Sequence, residues 1–355
     1  MPNCVDELII GQGLAGSLLA WELIRRSHRV MVVDNSDENA SQIAAGLVNP
    51  ITGPRLVKST DIDWLLAMAK RQYGELTVFF KQTFYVEKPM LRIFVNNKES
   101  HYAEQRLKHP EYMNYLGVLK TDTDEDNGWL APLGFIEQKQ TGYLLTKPLL
   151  KNLRNFLIAN NSYQCAQFNY TDLKLGTNLY WQNIKAKRVI FCEGYRAQNN
   201  PWFNNLPFQS VKGEILTLQS EYLHSDDYLL NYGHWLIPLS HQHFRTGATF
   251  NHEQLDNLPT EAAKKALLKS MQATVPNLSS ASVIGHHANV RPCTLDKQPF
   301  IGLHPQHPEL AIFNGFGAKG SLQIPAYSQI FAESLNQAIP KHANIQRFYD
   351  THFPC

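Results

Sequence analysis

The chain has 355 residues, of which 43% are hydrophobic and 18% charged, enough apolar material for two domains or one large elaborated one. A formal net charge of +2 argues against nucleic acid as a main partner. No apolar run approaches the length of a membrane span, and the cysteines (Cys4, Cys165, Cys192, Cys293, Cys355) show neither C-x-x-C nor metal spacing, which argues against a membrane anchor and a metal centre.

The first element is the most informative. Glu7-Leu8-Ile9-Ile10 is an apolar run of strand length, and it ends in Gly11-Gln12-Gly13-Leu14-Ala15-Gly16. The spacing of Leu14, Leu18, Trp21 and Leu23 or Ile24 then predicts a helix with one apolar face. A second apolar strand, Arg29 to Val33, stops at Asp34. In this strand–turn–helix context the three glycines serve different ends. Gly11 allows the tight turn, Gly13 lets backbone approach a pyrophosphate, and Gly16 lets helix and strand pack closely. The N–H groups of Leu14 and Ala15 open the helix and face the phosphates. Asp34 is placed to reach ribose hydroxyls, with Asn35 beside it. A carboxylate there favours an unphosphorylated ribose, hence NAD or FAD over NADP.

After the polar turn Asn35–Asn39 comes Ser41-Gln42-Ile43-Ala44-Ala45-Gly46, a small-residue loop that permits close approach to a ligand. Gly53-Pro54 forbids a helix in the next stretch, and Arg55 could approach a ligand from there. The stripe Ile62, Leu65, Leu66, Ala69, Tyr73 and Leu76 predicts a helix to Phe80, capped by Asp61 or Thr60. Residues 84–145 are mixed, with a strand near Met90–Val95 and an acidic solvated loop over Thr121–Asn127. A helix over Lys147–Ile158 precedes strands at Gln164–Tyr170, Leu179–Ile184 and Arg188–Cys192, the last stopped by Glu193-Gly194. Val211–Leu218, Trp235–Leu239, Phe244–Phe250 and Val283–Arg291 are further strands, and Thr260 caps a helix to Val275. Leu310–Asn314 is a short buried strand that meets Gly315-Phe316-Gly317-Ala318-Lys319-Gly320, and a helix over Ser321–Ala338 closes the chain.

Nucleotide-binding features thus stand at the N-terminus, near Gly194 and near Gly315–Gly320, with strand-rich stretches between. The fold expected is α/β. A discontinuous Rossmann-type FAD-binding domain (1–60, 146–210, 286–355) is interrupted by a second α+β domain (61–145, 211–285) on a mixed or antiparallel sheet. Such interleaving suits a flavin enzyme better than a two-domain NAD dehydrogenase.

In this order the motifs resemble the D-amino-acid oxidase family of FAD-dependent amine oxidases, nearest to glycine oxidase and sarcosine oxidase. Beyond Gly11–Gly16 with Asp34, the likeness rests on five stretches. These are Ser41-x-x-Ala44-Ala45-Gly46, Val211-Lys212-Gly213-Glu214, Leu236-Ile237-Pro238 with Gly247-Ala248-Thr249, Val290-Arg291-Pro292-x-x-x-Asp296-x-x-Pro299-x-Ile301-Gly302, and Gly315-Phe316-Gly317-x-x-Gly320. The resemblance implies that Ser41, Ala44, Ala45 and Gly46 form a flavin phosphate loop, that Gly194 lines the nucleotide, and that Gly315, Gly317, Ala318, Lys319 and Gly320 reach the flavin through the turn backbone. It implies that Arg291 holds a substrate carboxylate, a role that suits a guanidinium fork. The expected activity is oxidation of a C–N bond in an amine or amino acid, with dioxygen as acceptor and hydrogen peroxide as product. Two departures matter. Trp235 replaces the tyrosine of glycine oxidase and D-amino-acid oxidase, and leaves an aromatic wall or a lone indole donor. Lys319 either supplies a charge near flavin or substrate or is a solvated turn lysine. The place of the flavin-linking cysteine of sarcosine oxidase falls near Asn289, so noncovalent FAD is expected. The alternatives are a flavoenzyme acting on a larger substrate such as a modified tRNA uridine, since the wobble-uridine maturation oxidase shares the family, and a flavin-binding protein without turnover. Arg245, in the Phe244–Thr249 strand, reads as a surface ion pair, the alternative being a cation near the flavin that aids oxygen activation, and His241, His243, His286 and His287 read as surface or pocket-wall residues. The free thiols and absent secretory segment read as a cytoplasmic protein.

Overall fold

Leu8, Ile9 and Ile10 are apolar toward both faces of their strand, the composition of a parallel strand covered on both sides. In the computed structural model, Asn3–Ile10 is central to such a sheet. Residues 3–121, 128–176, 178–222, 225–240, 242–335 and 346 are described. The expected acidic loop lies largely outside them, as do His241, Cys355 and the end of the expected closing helix.

The parallel order is Tyr163–Cys165, Val30–Asp34, Asn3–Ile10, Ile184–Phe191, Leu310–Asn314. Leu179–Trp181 and Phe300–Leu303 extend it as antiparallel neighbours. Gly11, Gly194 and Gly315 therefore leave the same ends of three adjacent strands, the crest on which such sheets bind ligands. Helices Leu14–Arg25, Ile62–Phe80, Thr146–Ala159 and Gly320–Ser334 bury their apolar faces in one core. The opposite sheet face is covered by an aromatic group in which Phe168 stacks on Trp181 and Phe191 on Trp202. Each large side chain fully buried there contributes about 1.5–3 kcal/mol.

The second sheet has the order Ser282–Arg291, Val211–Gln219, His243–Gly247, Trp235–Ser240, Leu229–Asn231, Met90–Ile93, Phe135–Gln138, Leu116–Lys120. It is mixed: every neighbouring pair is antiparallel except Leu229–Asn231 with Met90–Ile93. Glu261–Thr274 packs on one face, capped by Thr260, whose hydroxyl accepts from the Ala263 N–H at 3.2 Å.

Local details depart from expectation. Asp61 adopts a left-handed backbone (φ 55°) and makes no side-chain cap bond, so it is not the expected cap of Ile62–Phe80. The expected strand over 164–170 is only Tyr163–Cys165, because Tyr170–Asp172 turns into a 3-10 helix. Within the expected small-residue loop, Ala40–Ile43 is a short helix, closed by a capping box between Asn39 and Gln42. Ser282–Arg291 is one continuous strand of the second sheet, and Ile62–Phe80 belongs to the first core. We therefore propose that the second unit comprises roughly residues 85–144 and 211–291.

Candidate active site

The tight turn after Asn3–Ile10 depends on two glycines. Gly11 has φ +103°, and a Cβ on it would stand 2.5 Å from the Cys192 carbonyl oxygen. A Cβ on Gly16 would stand 2.0 Å from the Gly11 carbonyl oxygen. Both positions are closed by packing. Gly13 differs: the single neighbour a Cβ would meet is Ser41 Oγ, at 3.3 Å. Gly13 is the N-cap of Leu14–Arg25 and makes no side-chain cap bond. The Leu14 N–H donates to Ser41 Oγ at 3.0 Å, while the N–H groups of Ala15 and Gly16 have no protein acceptor among the described residues. An open approach over Gly13 and unpaired donors at a helix N-terminus fit the pyrophosphate of a dinucleotide.

Asp34 sits at the end of the neighbouring strand. Its Oδ2 accepts from the Gln12 N–H at 2.8 Å and its Oδ1 from the Ser36 N–H at 2.8 Å. Arg154, from Thr146–Ala159, reaches Asp34 Oδ1 at 3.4 Å and donates to Gln12 Oε1 at 2.8 Å. No sequence signal marks Arg154, because its partners lie 120 and 142 residues away. The half-buried Asn35 side-chain amide donates to Asp37 and Gln167.

Ala44 and Ala45 follow the short helix, and Gly46 is forced by packing. Its φ is +71° and a Cβ would stand 2.1 Å from the Leu144 carbonyl oxygen, in the strand Gly142–Leu144. Gly194 (φ +60°) has open space above it and accepts from Asn314 Nδ2 at 2.9 Å. Beside it, Glu193 accepts from Tyr170 Oη at 2.7 Å and Asn200 Nδ2 at 2.9 Å, and burial pushes its carboxyl up to about 7.

The glycine turn at 315–320 abuts the end of the second sheet. The Gly317 N–H is committed to the Pro292 carbonyl at 3.1 Å, and a Cβ on Gly317 would stand 3.0 Å from Cys293 Sγ. A Cβ on Gly315 would stand 2.7 Å from the Thr294 methyl, Ala318 places its N–H against the Cys293 sulfur, and Gly320 opens the helix to Ser334. Lys319 is not a solvated turn lysine. Its half-buried ammonium donates to Ser59 Oγ at 3.2 Å, and burial lowers its pKa.

In the second sheet, Arg291 and Trp235 lie on outer strands of a four-strand set and lean inward over two glycines. The Arg291 guanidinium covers Gly213, where a Cβ would be 2.0 Å from Nη2, and donates to the Thr249 carbonyl at 3.3 Å. The indole of Trp235 covers Gly247, where a Cβ would be 2.9 Å from Cζ2. Both side chains thus converge on Gly247–Thr249. Arg291 also lies 4.8 Å from the ring centre of Phe250. It has no carboxylate partner among the described residues, and burial lowers its pKa. Lys212 and Glu214 alternate to the other sheet face, where Lys212 pairs with Asp256 at 2.6 Å and Glu214 binds Thr260 and His286.

Other expectations resolve plainly. Arg245 is not a surface ion pair: it is half-buried and donates to the carbonyls of Ile43 (2.6 Å) and Ala44 (3.3 Å). Arg55 is exposed on a turn and its carbonyl accepts from Arg106, so it does not reach the crest. Asn289 is buried, and its amide donates to the Glu38 carbonyl at 3.4 Å.

A glycine-lined crest that fits a dinucleotide, joined to a second sheet that carries Arg291, is an arrangement that suits a flavoprotein oxidoreductase. The chain belongs to the D-amino-acid oxidase family: the family model described as FAD dependent oxidoreductase matches residues 6–334. Its cofactor is FAD. It is 31% identical to a glycine oxidase of Pseudomonas putida over 38% of this chain and 37% of that protein. It is 24% identical to the tRNA 5-methylaminomethyl-2-thiouridine biosynthesis bifunctional protein MnmC of Legionella pneumophila (strain Corby) over 94% of this chain and 54% of that protein. The chain thus spans only about half the length of the tRNA-modifying relative. Among solved structures it resembles glycine oxidase from Geobacillus kaustophilus (TM-score 0.81, 19% identity, 94% of each chain). It also resembles iminodiacetate oxidase from Chelativorans sp. BNC1 (TM-score 0.78, 20% identity, 95% of this chain and 96% of that one). No helix among the described residues is long and apolar enough to cross a membrane.

Proposed function

We propose that this chain oxidises the C–N bond of an amine that carries a carboxylate, with FAD bound noncovalently across the crest. The observation that carries this reading is Arg291: a half-buried guanidinium with no carboxylate partner among the described residues, braced over Gly213 and aimed at the same three residues as Trp235. A desolvated cation without a counter-ion is expensive to hold, and an anionic substrate removes that cost.

The residues divide the work. Gly13, Ala15 and Gly16 receive the pyrophosphate, Asp34 the ribose, and the 41–46 stretch and the 315–320 turn flank the flavin. Arg291 binds the substrate carboxylate as a fork, Trp235 forms the facing wall, and Lys319 places a positive charge beside the turn. Together they orient the amine and its C–H bond, which supplies most of what the protein must contribute. When bound, FAD supplies the two-electron oxidation, the resulting imine hydrolyses in water, and dioxygen is the terminal acceptor, yielding hydrogen peroxide. The free thiols of Cys165, Cys192 and Cys293 suit a reducing, cytoplasmic setting.

The test is anaerobic flavin bleaching by matched amines with and without a carboxylate, glycine against methylamine and sarcosine against dimethylamine. Bleaching confined to the carboxylates supports the proposal, and equal bleaching by the plain amines contradicts it. A second reading has its own support: the tRNA-modifying relative aligns with 94% of this chain, the glycine oxidase with 38%. On that reading the amine is carried on a modified tRNA uridine. Flavin bleaching by undermodified tRNA, with no response to free amino acids, would establish it over the first.

A further inference from the structure

Arg245 stands on the His243–Gly247 strand, opposite Thr217 on one side and Ile237 on the other. Directly paired residues share a sheet face, so Arg245 is on the face that carries Trp235 and Gly247. It forms part of the wall of a cavity of about 270 Å³, with Thr217 and Ile237 from the sheet and Gln42, Ile43 and Ala45 from the short helix and the residues after it. Its guanidinium reaches from the sheet to the end of the short helix. Nη2 donates to the Ile43 carbonyl at 2.6 Å and Nη1 to the Ala44 carbonyl at 3.3 Å. These carbonyls end the short helix Ala40–Ile43, where backbone acceptors lack intrahelical partners. No carboxylate pairs with Arg245 among the described residues, and burial lowers its pKa.

The same short helix carries Ser41, whose hydroxyl accepts from the Leu14 N–H and stands over Gly13. A continuous set of contacts therefore runs from the second sheet through Arg245, Ile43–Ala44 and Ser41 to the N-terminus of the nucleotide-binding helix. We propose that Arg245 is a positioning residue that holds the Ser41–Gly46 loop in its cofactor-binding form before FAD arrives. The inference rests on the assignment of that loop and of Gly13 to the FAD site. Without the tie the loop must be ordered at the moment of binding, and affinity falls by that cost.

The experiment is titration of apo-protein with FAD, followed by flavin fluorescence, for wild type, Arg245→Lys and Arg245→Met, each alone and with Ser41→Ala. Met keeps the volume of the stem and removes the donors, and circular dichroism of the apo-proteins confirms that each variant is folded. Arg245→Met weakens FAD binding about ten- to a hundredfold, the range expected for losing a charge-assisted contact, and Arg245→Lys recovers part of it. In the Ser41→Ala background the loss shrinks, because the two residues act through one loop. A folded Arg245→Met protein with FAD affinity within twofold of wild type overturns the proposal, as does an equal loss in both backgrounds. Gly13→Val separates this from the underlying assignment: if that variant folds and keeps full FAD affinity, the phosphate-cradle reading itself fails, whatever Arg245 does.

Discussion

Gly213 shows how much of this site turns on a missing side chain. It leaves room for Arg291 to lie flat across the sheet, and a methyl group there would occupy the position of Nη2. The obstacle is the end of a flexible side chain, so Gly213→Ala keeps the fold and displaces the guanidinium instead. We expect FAD content unchanged and the substrate half-saturation raised about ten- to a hundredfold, the scale of an ångström-sized misplacement. Steady-state kinetics beside the flavin-to-protein absorbance ratio checks this, and unchanged kinetics would mean that the guanidinium position does not matter. The glycines of Gly11–Gly16 were legible in the sequence, since each sits at a fixed offset in a strand–turn–helix. The role of Gly213 was not. The motif Val211-Lys212-Gly213-Glu214 could be read as a strand, but which face met Arg291 depended on pairing with a strand more than seventy residues on.

At the scale of elements, that same strand does two jobs on its two faces. Gly213 serves the site, while Glu214 turns to the other face and accepts from the Thr260 N–H at 2.8 Å and hydroxyl at 2.9 Å. Thr260 in turn caps Glu261–Thr274. Thr260→Ala removes the cap and strands part of the Glu214 carboxylate, so we expect a loss of about 1–2 kcal/mol in denaturant unfolding. A change below about 0.3 kcal/mol, smaller than the usual cap contribution, would show that cap and strand are not coupled. Thr260 as a cap could be read from sequence because a cap is a local signal, and the periodic helices and buried strands were readable for the same reason. Asp61 misled because its backbone is left-handed and its side chain makes no cap bond, neither of which the residue type shows. Arg154 was unreadable as a site residue, and Arg245 was readable only as a cation near the flavin or a surface pair, since their partners come from about 120 and 200 residues away and are largely a shared acid or backbone oxygens.

Across the whole molecule, the two sheets are joined by contacts such as the Gly317 N–H on the Pro292 carbonyl and Arg245 on the Ile43 and Ala44 carbonyls. The α/β class followed from where the glycine-stopped strands fall; the division into units that we propose rests on the sheet pairing. One group at the crest links stability to pH. Burial raises the Glu193 carboxyl from 4.5 to about 7. A carboxyl raised on folding favours the folded state fully below its unfolded pKa, and that contribution is lost as pH rises from about 4.5 through 7. Glu193→Gln, neutral at every pH, should remove this decline, worth up to about 3 kcal/mol. Unfolding free energies measured across that range, with identical pH dependence in wild type and variant, would refute the assignment.

The central claim is that Arg291 binds the carboxylate of an amine held against FAD. Once the anaerobic panel has supplied a substrate, its most direct measurement is the rate of flavin reduction against substrate concentration for wild type, Arg291→Lys and Arg291→Ala. The account predicts equal FAD content in all three. It predicts half-saturation raised about ten- to a hundredfold in Arg291→Ala, the worth of one charge-assisted contact, and a smaller rise in Arg291→Lys, which keeps the charge and loses the fork. Reduction of Arg291→Ala at the wild-type rate with the wild-type half-saturation would contradict it.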